Sequence, residues 1–270
     1  MKTNSTACTA SPVHAETAHT MLALEVALSS DRGGRKYNED ACGHWHSARH
    51  LCCVLADGAG GHGGGDIASR LAVQELIGRF SQHPTDGGDE LGRLMRVTND
   101  VLISQRVPGT ARQDMHSTLV CLVIDFVSHR AHWAHAGDSR MYWFRNGRVL
   151  DRTRDHSLVQ TLVDSGLLKP DEVRSHPKRS ELRSALGIAP DLLEVSAADG
   201  GEEVQAGDAF LLCTDGLWEY LEDEVLERTL AAAPNPGAWI GELGAEVRRA
   251  ASEKASHDNF SALVVWASAA

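Results

Sequence analysis

The chain has 270 residues, 42% of them hydrophobic, which is enough for one large core and an ordinary size for a single sandwich or barrel domain. Aspartate and glutamate number 37 against 26 lysines and arginines, giving a formal net charge of −11. Because this charge repels nucleic-acid backbones and anionic membranes, we expect neither as a partner. The same charge suits cation binding wherever the acidic side chains converge.

Residues 1–20 are rich in Thr, Ser, Ala and His and predict a flexible tail in front of a single domain over residues 21–268. The tail has no apolar signal-peptide core, and the first apolar run is too short to span a bilayer. The six cysteines show no zinc-like spacing, and four of them lie inside apolar runs, where a thiol behaves as a small hydrophobe. We therefore expect a cytoplasmic protein.

The predicted elements begin with a strand over residues 21–28, a polar loop to residue 40 and a buried strand over residues 51–56, which ends at a glycine-rich loop. A helix then begins at Asp66, and a second helix covers residues 90–105. The first helix has one apolar face, made at four-residue spacing by Ala68, Ala72, Leu76 and Phe80. Two helices therefore follow the first three segments.

The second half of the chain predicts mostly strands, over residues 117–126, 130–136, 141–145, 148–150, 209–213 and 263–266. Asn146-Gly147 predicts a hairpin, because this pair tolerates the positive φ angles of a type I′ turn. Helices and loops fill residues 155–190, and two more helices begin near residue 222 and surround Trp239. Hairpin-linked strands with clustered helices favour an α+β fold with antiparallel sheets.

One local pattern recurs at the strand ends: an aspartate beside a glycine or a small polar residue. It occurs at Asp57-Gly58, Asp138-Ser139 and Asp215-Gly216, while Asp258 precedes the last strand and Glu39-Asp40 adds an acidic pair. Each Asp-Gly alone is also typical of a turn. Together, the carboxylates can converge at one end of a sheet, where Mg²⁺ or Mn²⁺ would find oxygen ligands and offset the mutual repulsion.

Five segments, in order, resemble the motifs of the type 2C (PPM) metal-dependent protein serine/threonine phosphatases, in their bacterial form. These are Arg35-Lys-Tyr-Asn-Glu-Asp40, Ala56-Asp-Gly-Ala-Gly-Gly-His62, Gly137-Asp-Ser-Arg140, Cys213-Thr-Asp-Gly216 and Asp258-Asn259. The resemblance runs from about residue 30 to residue 266. It implies a sandwich of two antiparallel β-sheets flanked by α-helices.

The resemblance also implies roles for individual residues. Asp57 would bridge two Mn²⁺ or Mg²⁺ ions. The Gly58 carbonyl and Glu39 would complete one site, and Asp215 and Asp258 the other. Bacterial members often bind a third metal, for which Asp138 and Asp215 are the matching positions. Asp40 would hydrogen-bond a metal-bound water, Arg35 would hold the substrate phosphate, and His62 would donate a proton or structure its loop.

The implied reaction is the hydrolysis of phosphoserine and phosphothreonine in proteins by a metal-bridged hydroxide, opposing a bacterial serine/threonine kinase. The expected substrate is a phosphoprotein, and we expect the enzyme to act as a monomer. Three alternatives remain at this point: a catalytically silent binding module, a small-molecule phosphatase and an unrelated metallohydrolase such as a nuclease. The acidic charge disfavours a nuclease, and the presence of all the matched acidic ligands disfavours a silent module.

Overall fold

The architecture comes from a computed structural model, which describes residues 22–59, 64–198, 200–254 and 256–269. The predicted tail over residues 1–20 and the candidate His62 lie outside these residues. The strands are β1 Leu22–Asp31, β2 Asp40–His46, β3 His50–Ala59, β4 His116–Ser117, β5 Leu119–Asp125, β6 Arg130–Ala136, β7 Arg140–Arg145, β8 Arg148–Arg152, β9 Ser196–Ala197, β10 Glu202–Glu203, β11 Ala209–Cys213 and β12 Phe260–Ala269. The helices are α1 Gly65–Gln82, α2 Gly88–Ser104, α3 Leu158–Asp164, α4 Asp215–Trp218, α5 Asp223–Ala232 and α6 Pro236–Ala250, with a 3-10 helix at Pro170–Ser175.

The strands form two antiparallel sheets. The first has the order β1-β12-β11-β7-β8, and the second has the order β10-β6-β5-β3-β2, with β4 beside β3 and β9 beside β6. Their facing sides share one core, which includes Leu55, Val120, Met141, Phe210 and Leu263. The expected α+β sandwich is confirmed.

Helices cover the outer face of each sheet. Helices α1 and α2 pack on the second sheet around Val54 and Phe80, and α6 packs on the first sheet around Trp239. Strand β3 is therefore buried on both faces: Val54 points to the helices and Leu55 to the other sheet. A strand buried on both sides carries a continuous apolar run, the pattern on which its prediction rested.

The structure corrects two of the predicted segments. The region predicted as a polar loop to residue 40 contains the end of β1, which runs to Asp31, and β2 begins at Asp40. Strand β2 was not predicted from the sequence. This strand lies at the edge of its sheet and carries Gly43 and partly exposed histidines, so it has no apolar run to mark it.

The predicted hairpin between β7 and β8 is confirmed. Asn146 and Gly147 have φ angles of 53° and 71°, and Arg145 pairs with Arg148 across them. Both residues therefore adopt the left-handed conformation that a type I′ turn requires. Strand β3 also runs further than predicted, to Ala59, because Gly58 and Ala59 pair with β4.

An insertion over residues 153–195 separates β8 from β9 and contains α3 and the 3-10 helix. Ser157 caps α3 by accepting a hydrogen bond from the Gln160 amide at 3.2 Å. Arg174 then fastens the insertion to the segment after β11, donating to the carbonyls of Trp218 at 2.9 Å and Leu221 at 3.1 Å. The insertion is thus tied to the chain that follows Asp215. Among the described residues, no helix is long and apolar enough to cross a membrane.

Candidate metal centre

A cavity of about 810 Å³ lies where strands of both sheets end. Its lining includes seven of the nine residues that the sequence predicted for the site: Arg35, Glu39, Asp57, Gly58, Asp138, Asp215 and Asp258. The eighth, Asp40, is buried and opposite Asp57 on the neighbouring strand. The ninth, His62, lies outside the described residues. The structure therefore brings together eight side chains or carbonyls from five separate segments.

The backbone of Asp57 is held by the segment that precedes β5. The Thr118 amide and the Ser117 hydroxyl donate to the Asp57 carbonyl at 2.8 and 2.9 Å. The Thr118 hydroxyl accepts a hydrogen bond from the Asp57 amide at 2.9 Å and contacts the Ser139 hydroxyl at 2.7 Å. These contacts fix the main chain and leave the carboxylate free for a ligand. Neither Ser117 nor Thr118 was among the sequence-based candidates.

Gly58 is required by a close approach of two chain segments. A β-carbon at this position would lie 2.0 Å from the Gly65 carbonyl oxygen and 2.7 Å from the Glu39 carbonyl oxygen. Only glycine allows this approach. The same packing brings Glu39 beside the end of β3, because the Gly58 amide donates to the Glu39 carbonyl at 3.0 Å.

Asn259 joins the start of β12 to the loop between β1 and β2 at three points. Its Oδ1 accepts a hydrogen bond from the Glu39 amide at 2.8 Å, and its Nδ2 donates to the carbonyls of Arg32 and Tyr37 at 2.7 and 2.9 Å. In the sequence, Asn259 stands out only as part of the Asp258-Asn259 motif, without a role of its own. Its function as an anchor depends on contacts more than 200 positions away along the chain, which no local pattern shows.

The carboxyl groups of the centre disturb one another strongly. Burial, and then the neighbouring carboxylates of Asp215 and Asp258, raise the pKa of Asp40 to about 7. Burial, followed by Glu219 and Asp258, raises the pKa of Asp215 to about 7. Burial and the Asp215 carboxylate also hold the pKa values of Asp57 and Asp138 well above the usual range. The protein alone does not compensate this concentration of negative charge.

The donor set fits oxygen-seeking divalent cations. The buried Oδ1 atoms of Asp40 and Asp215 have no hydrogen-bond partner. The predicted ligands offer carboxylate and carbonyl oxygens without a thiolate or imidazole, the combination that suits Mg²⁺ and Mn²⁺. Cations there would remove the repulsion that raises the pKa values. The site is thus built for positive charge that the chain does not itself supply.

Arg35 lies in the same cavity with its guanidinium on Asp258, at 2.6 Å. Both side chains are partly exposed, at 55% and 40%. The sequence predicted these two residues for different roles, one on the substrate and one on a metal. The structure places them in direct contact at the open side of the cavity.

A buried ion pair supports the segment that carries Asp138. Arg140 donates to both oxygens of Asp155 at 2.9 and 2.8 Å, and its guanidinium lies 3.5 Å from the centre of the Trp218 ring. Trp218 in turn donates to the Asp138 carbonyl at 2.9 Å. Trp218 therefore packs in the core and also holds the main chain at Asp138. Among the residues of this network, the sequence had marked Arg140, which is the last residue of the Asp138 motif.

Two stacked histidines lie behind this segment. The rings of His135 and His156 are 4.6 Å apart at 18°. The Gly137 amide donates to His156 Nδ1 at 3.3 Å, so the ring proton is on Nε2, which contacts the Ser196 hydroxyl at 2.9 Å. Burial, and then the charge of His135 and Arg183, lowers the pKa of His156 to about 3. The Oε1 atom of Glu194 lies 3.9 Å from His156 Nε2, but its charge does not offset the effect of burial.

Acid is therefore expected to destabilise the fold through His156. Its folded pKa is below the unfolded value of about 6.5, so the stability it contributes is full above that value and is lost as the pH falls toward 3. We expect the difference in unfolding free energy between wild type and His156→Gln to fall by about 2 kcal/mol from pH 7 to pH 5. Urea denaturation at both pH values measures it, and comparing the two proteins cancels every other titrating group. A pH-independent difference would contradict the assignment.

A second cluster with metal-ligand atoms, His50, Asp86 and Asp125, lies at the opposite end of β3. Arg49 binds both of its carboxylates, at 2.5 Å to Asp86 and 3.0 Å to Asp125. Burial raises the pKa of Asp125. Hydrogen bonds from Arg49, the Val127 amide and Ser128 outweigh burial and bring this pKa down to about 2. The guanidinium thus offsets part of the negative charge, and the cluster is an ion-pair network that also includes the contact of His50 with Asp86.

Comparison with known proteins identifies similar chains. The family model for protein phosphatase 2C matches residues 30–236. The serine/threonine protein phosphatase PstP of Mycobacterium tuberculosis is 38% identical over 79% of this chain, and protein phosphatase PhpP of Streptococcus pneumoniae is 32% identical over 72% of this chain and 79% of its own length. The alignment spans only 40% of the length of PstP.

A solved structure of the PstP catalytic domain in complex with two manganese ions is also similar. It superposes with a TM-score of 0.75 at 31% identity, covering 92% of this chain and 99% of that one. The similar fold and the family match agree with the chemistry of the acidic cavity, whose oxygen donors suit divalent cations.

Proposed function

The chain belongs to the protein phosphatase 2C family, and from this we propose that it hydrolyses phosphoserine and phosphothreonine in proteins with the help of two divalent cations. The observation that carries the proposal is the convergence of five carboxylates and the Gly58 carbonyl in one cavity, with unpartnered oxygens and raised pKa values. The phosphatase names of the bacterial relatives and the manganese-bound neighbour support it.

The proposed ligands divide between two sites. Asp57 would contribute to both, Glu39 and the Gly58 carbonyl would complete one site, and Asp215 and Asp258 would complete the other. Asp138, whose pKa is raised by burial and then by the Asp215 carboxylate, is the available ligand for a third ion beside Asp215. When bound, Mn²⁺ or Mg²⁺ would supply a water that ionises near neutral pH and positive charge for the phosphoryl oxygens.

Arg35 is proposed to hold the substrate phosphoryl group. Its planar guanidinium carries five N–H donors, of which the bond to Asp258 uses one. Because Arg35 lines the cavity, its remaining donors are available to bind two phosphoryl oxygens at once. Contact with Asp258 keeps the guanidinium beside the proposed cation ligands.

Asp40 is proposed to orient the attacking water. Its Oδ2 is fixed by the Thr214 hydroxyl at 3.0 Å, so Oδ1 is the acceptor left for a water. Burial and then the neighbouring carboxylates raise the pKa of Asp40 to about 7 in the absence of cations. Cations held by those carboxylates would lower this pKa again and leave Asp40 as an ionised acceptor for the water. We propose that His62 either donates a proton to the leaving oxygen or structures the loop that carries it.

The proposal extends to the cellular setting. A phosphoprotein is the proposed substrate, and a serine/threonine kinase that acts on the same proteins is the proposed opposing partner. We propose a monomer that works in the cytoplasm without nucleic acid or membrane. The net charge of −11 supports the last point, since it opposes association with other polyanions.

The test is hydrolysis of a phosphothreonine peptide by the purified protein with Mn²⁺, followed by excess chelator. We expect turnover that stops on chelation and returns when Mn²⁺ is restored. Undiminished turnover in chelator would contradict the proposal. Failure to release phosphate with Mn²⁺ or Mg²⁺ from a folded protein would favour the silent binding module instead. A set of phosphorylated metabolites in the same assay separates a protein phosphatase from a small-molecule phosphatase.

A further inference from the structure

Two side chains that follow Arg35 line the same cavity as the acidic residues. Lys36 and Tyr37 are both exposed, and 60% of Tyr37 is accessible to solvent. The Lys36 ammonium lies 5.1 Å from the centre of the Tyr37 ring, within the distance of a cation–π contact. The ring therefore holds the ammonium at the wall of the cavity.

Lys36 has no carboxylate partner among the described residues, unlike Arg35, the other cation of the cavity lining. Arg35 pairs with Asp258 at 2.6 Å, and two cations of the insertion are also paired, Lys178 with Glu181 at 3.4 Å and Arg179 with Glu219 at 2.8 Å. In a strongly acidic chain, an unpaired ammonium facing a cavity is available to a negatively charged ligand.

The size of the cavity exceeds that of a phosphoryl group. Its volume of about 810 Å³ falls in the range of about 300–1,000 Å³ that encloses a drug-sized molecule. Ser180 and Leu182 of the insertion line it together with Lys36 and Tyr37. A phosphorylated side chain can therefore enter with part of an adjoining substrate residue.

We propose that Lys36, seated on the Tyr37 ring, is a specificity-determining residue that binds a carboxylate adjacent to the phosphorylated residue of a protein substrate. The inference rests on the proposed phosphatase function. Lys36 follows Arg35 directly, and both side chains line the same cavity. A phosphoryl group bound by Arg35 therefore has a second cation beside it, which is placed to bind a carboxylate of an adjoining substrate residue.

The test measures kcat/KM with Mn²⁺ for two phosphothreonine peptides that differ only in Glu or Gln beside the phosphorylated residue. We expect wild type to prefer the Glu peptide by about three- to fivefold, the size of a partly exposed ion pair. In Lys36→Met the ratio of the two kcat/KM values should fall to about one. The ratio isolates the flanking contact, because the phosphoryl chemistry is common to both peptides.

Lys169→Met is the matched control. This lysine is exposed, makes no ion pair among the described residues and lies in the insertion away from the cavity lining, so the variant removes the same charge elsewhere. It should keep the wild-type ratio. A ratio of one in wild type, or a preference that survives Lys36→Met, would overturn the inference. Absence of turnover of either peptide by wild type would instead overturn the phosphatase function itself.

Discussion

Asp57→Asn is expected to lower metal-dependent kcat/KM for a phosphothreonine peptide by about a thousandfold or more. Asp57 is the proposed ligand shared by both cations, and an amide replaces the negative charge with a neutral group. Loss of cation-based charge stabilisation is worth several kcal/mol, and each 1.4 kcal/mol is about tenfold in rate. Steady-state kinetics with saturating Mn²⁺ measure it, with circular dichroism to show that the fold remains.

The same substitution should stabilise the metal-free protein. Burial and neighbouring carboxylates hold the pKa of Asp57 well above its usual range, so the ionised form opposes folding at neutral pH. Replacement by a neutral amide removes that repulsion. We expect a higher Tm than wild type in chelator, and no such gain for the control Asp171→Asn, whose carboxyl is exposed in the insertion. Activity near the wild-type level, or a lower metal-free Tm, would contradict Asp57 as a shared ligand.

Asp155→Ala is expected to lower the free energy of unfolding by about 3–5 kcal/mol, because it leaves the buried Arg140 guanidinium without a counter-charge. The two side chains are 5% and 2% exposed and joined by two hydrogen bonds. Urea denaturation in chelator measures the loss. The matched control is Asp164→Ala, which breaks an exposed pair with Arg154 and should cost no more than about 1 kcal/mol.

A double variant separates two effects of Asp155→Ala on stability: the unpaired charge of Arg140 and the lost packing of the Asp155 side chain. Arg140→Met with Asp155→Leu removes both charges and keeps apolar volume, so much of the lost stability should return. A loss below about 1 kcal/mol in the single variant would show that Arg140 finds solvent or another partner. Because Trp218 links this pair to the Asp138 carbonyl, both variants also test whether the network positions Asp138.

The sequence predicted the acidic residues because each sits in a local pattern. An apolar strand such as β3 is recognisable from a continuous run, and Asp57-Gly58 marks its end. Strand β2 was not recognisable, since an edge strand with Gly43 and exposed histidines lacks that run. The limits of β3 also depend on β4, a pairing of residues about 60 positions apart.

The supporting residues escaped prediction for a different reason. Thr118 positions Asp57, and Asn259 anchors Glu39, through hydrogen bonds between segments far apart in the sequence. Neither residue carries a local signal of such a role, because serine, threonine and asparagine are common in turns and at helix caps. The acidic cavity therefore follows from motifs, whereas the contacts that shape it follow only from the tertiary fold.

The acidic residues of the centre come from both sheets. Asp57 lies two residues before the end of β3 in the second sheet, whereas Asp215 and Asp258 flank strands of the first. Any ion held by these carboxylates at once is also a cross-link between the two halves of the sandwich. Binding energy then adds to the cohesion of the sheets, because a ligand that binds only the folded state stabilises it. The proposed catalysis and the cohesion of the two sheets thus depend on the same carboxylates.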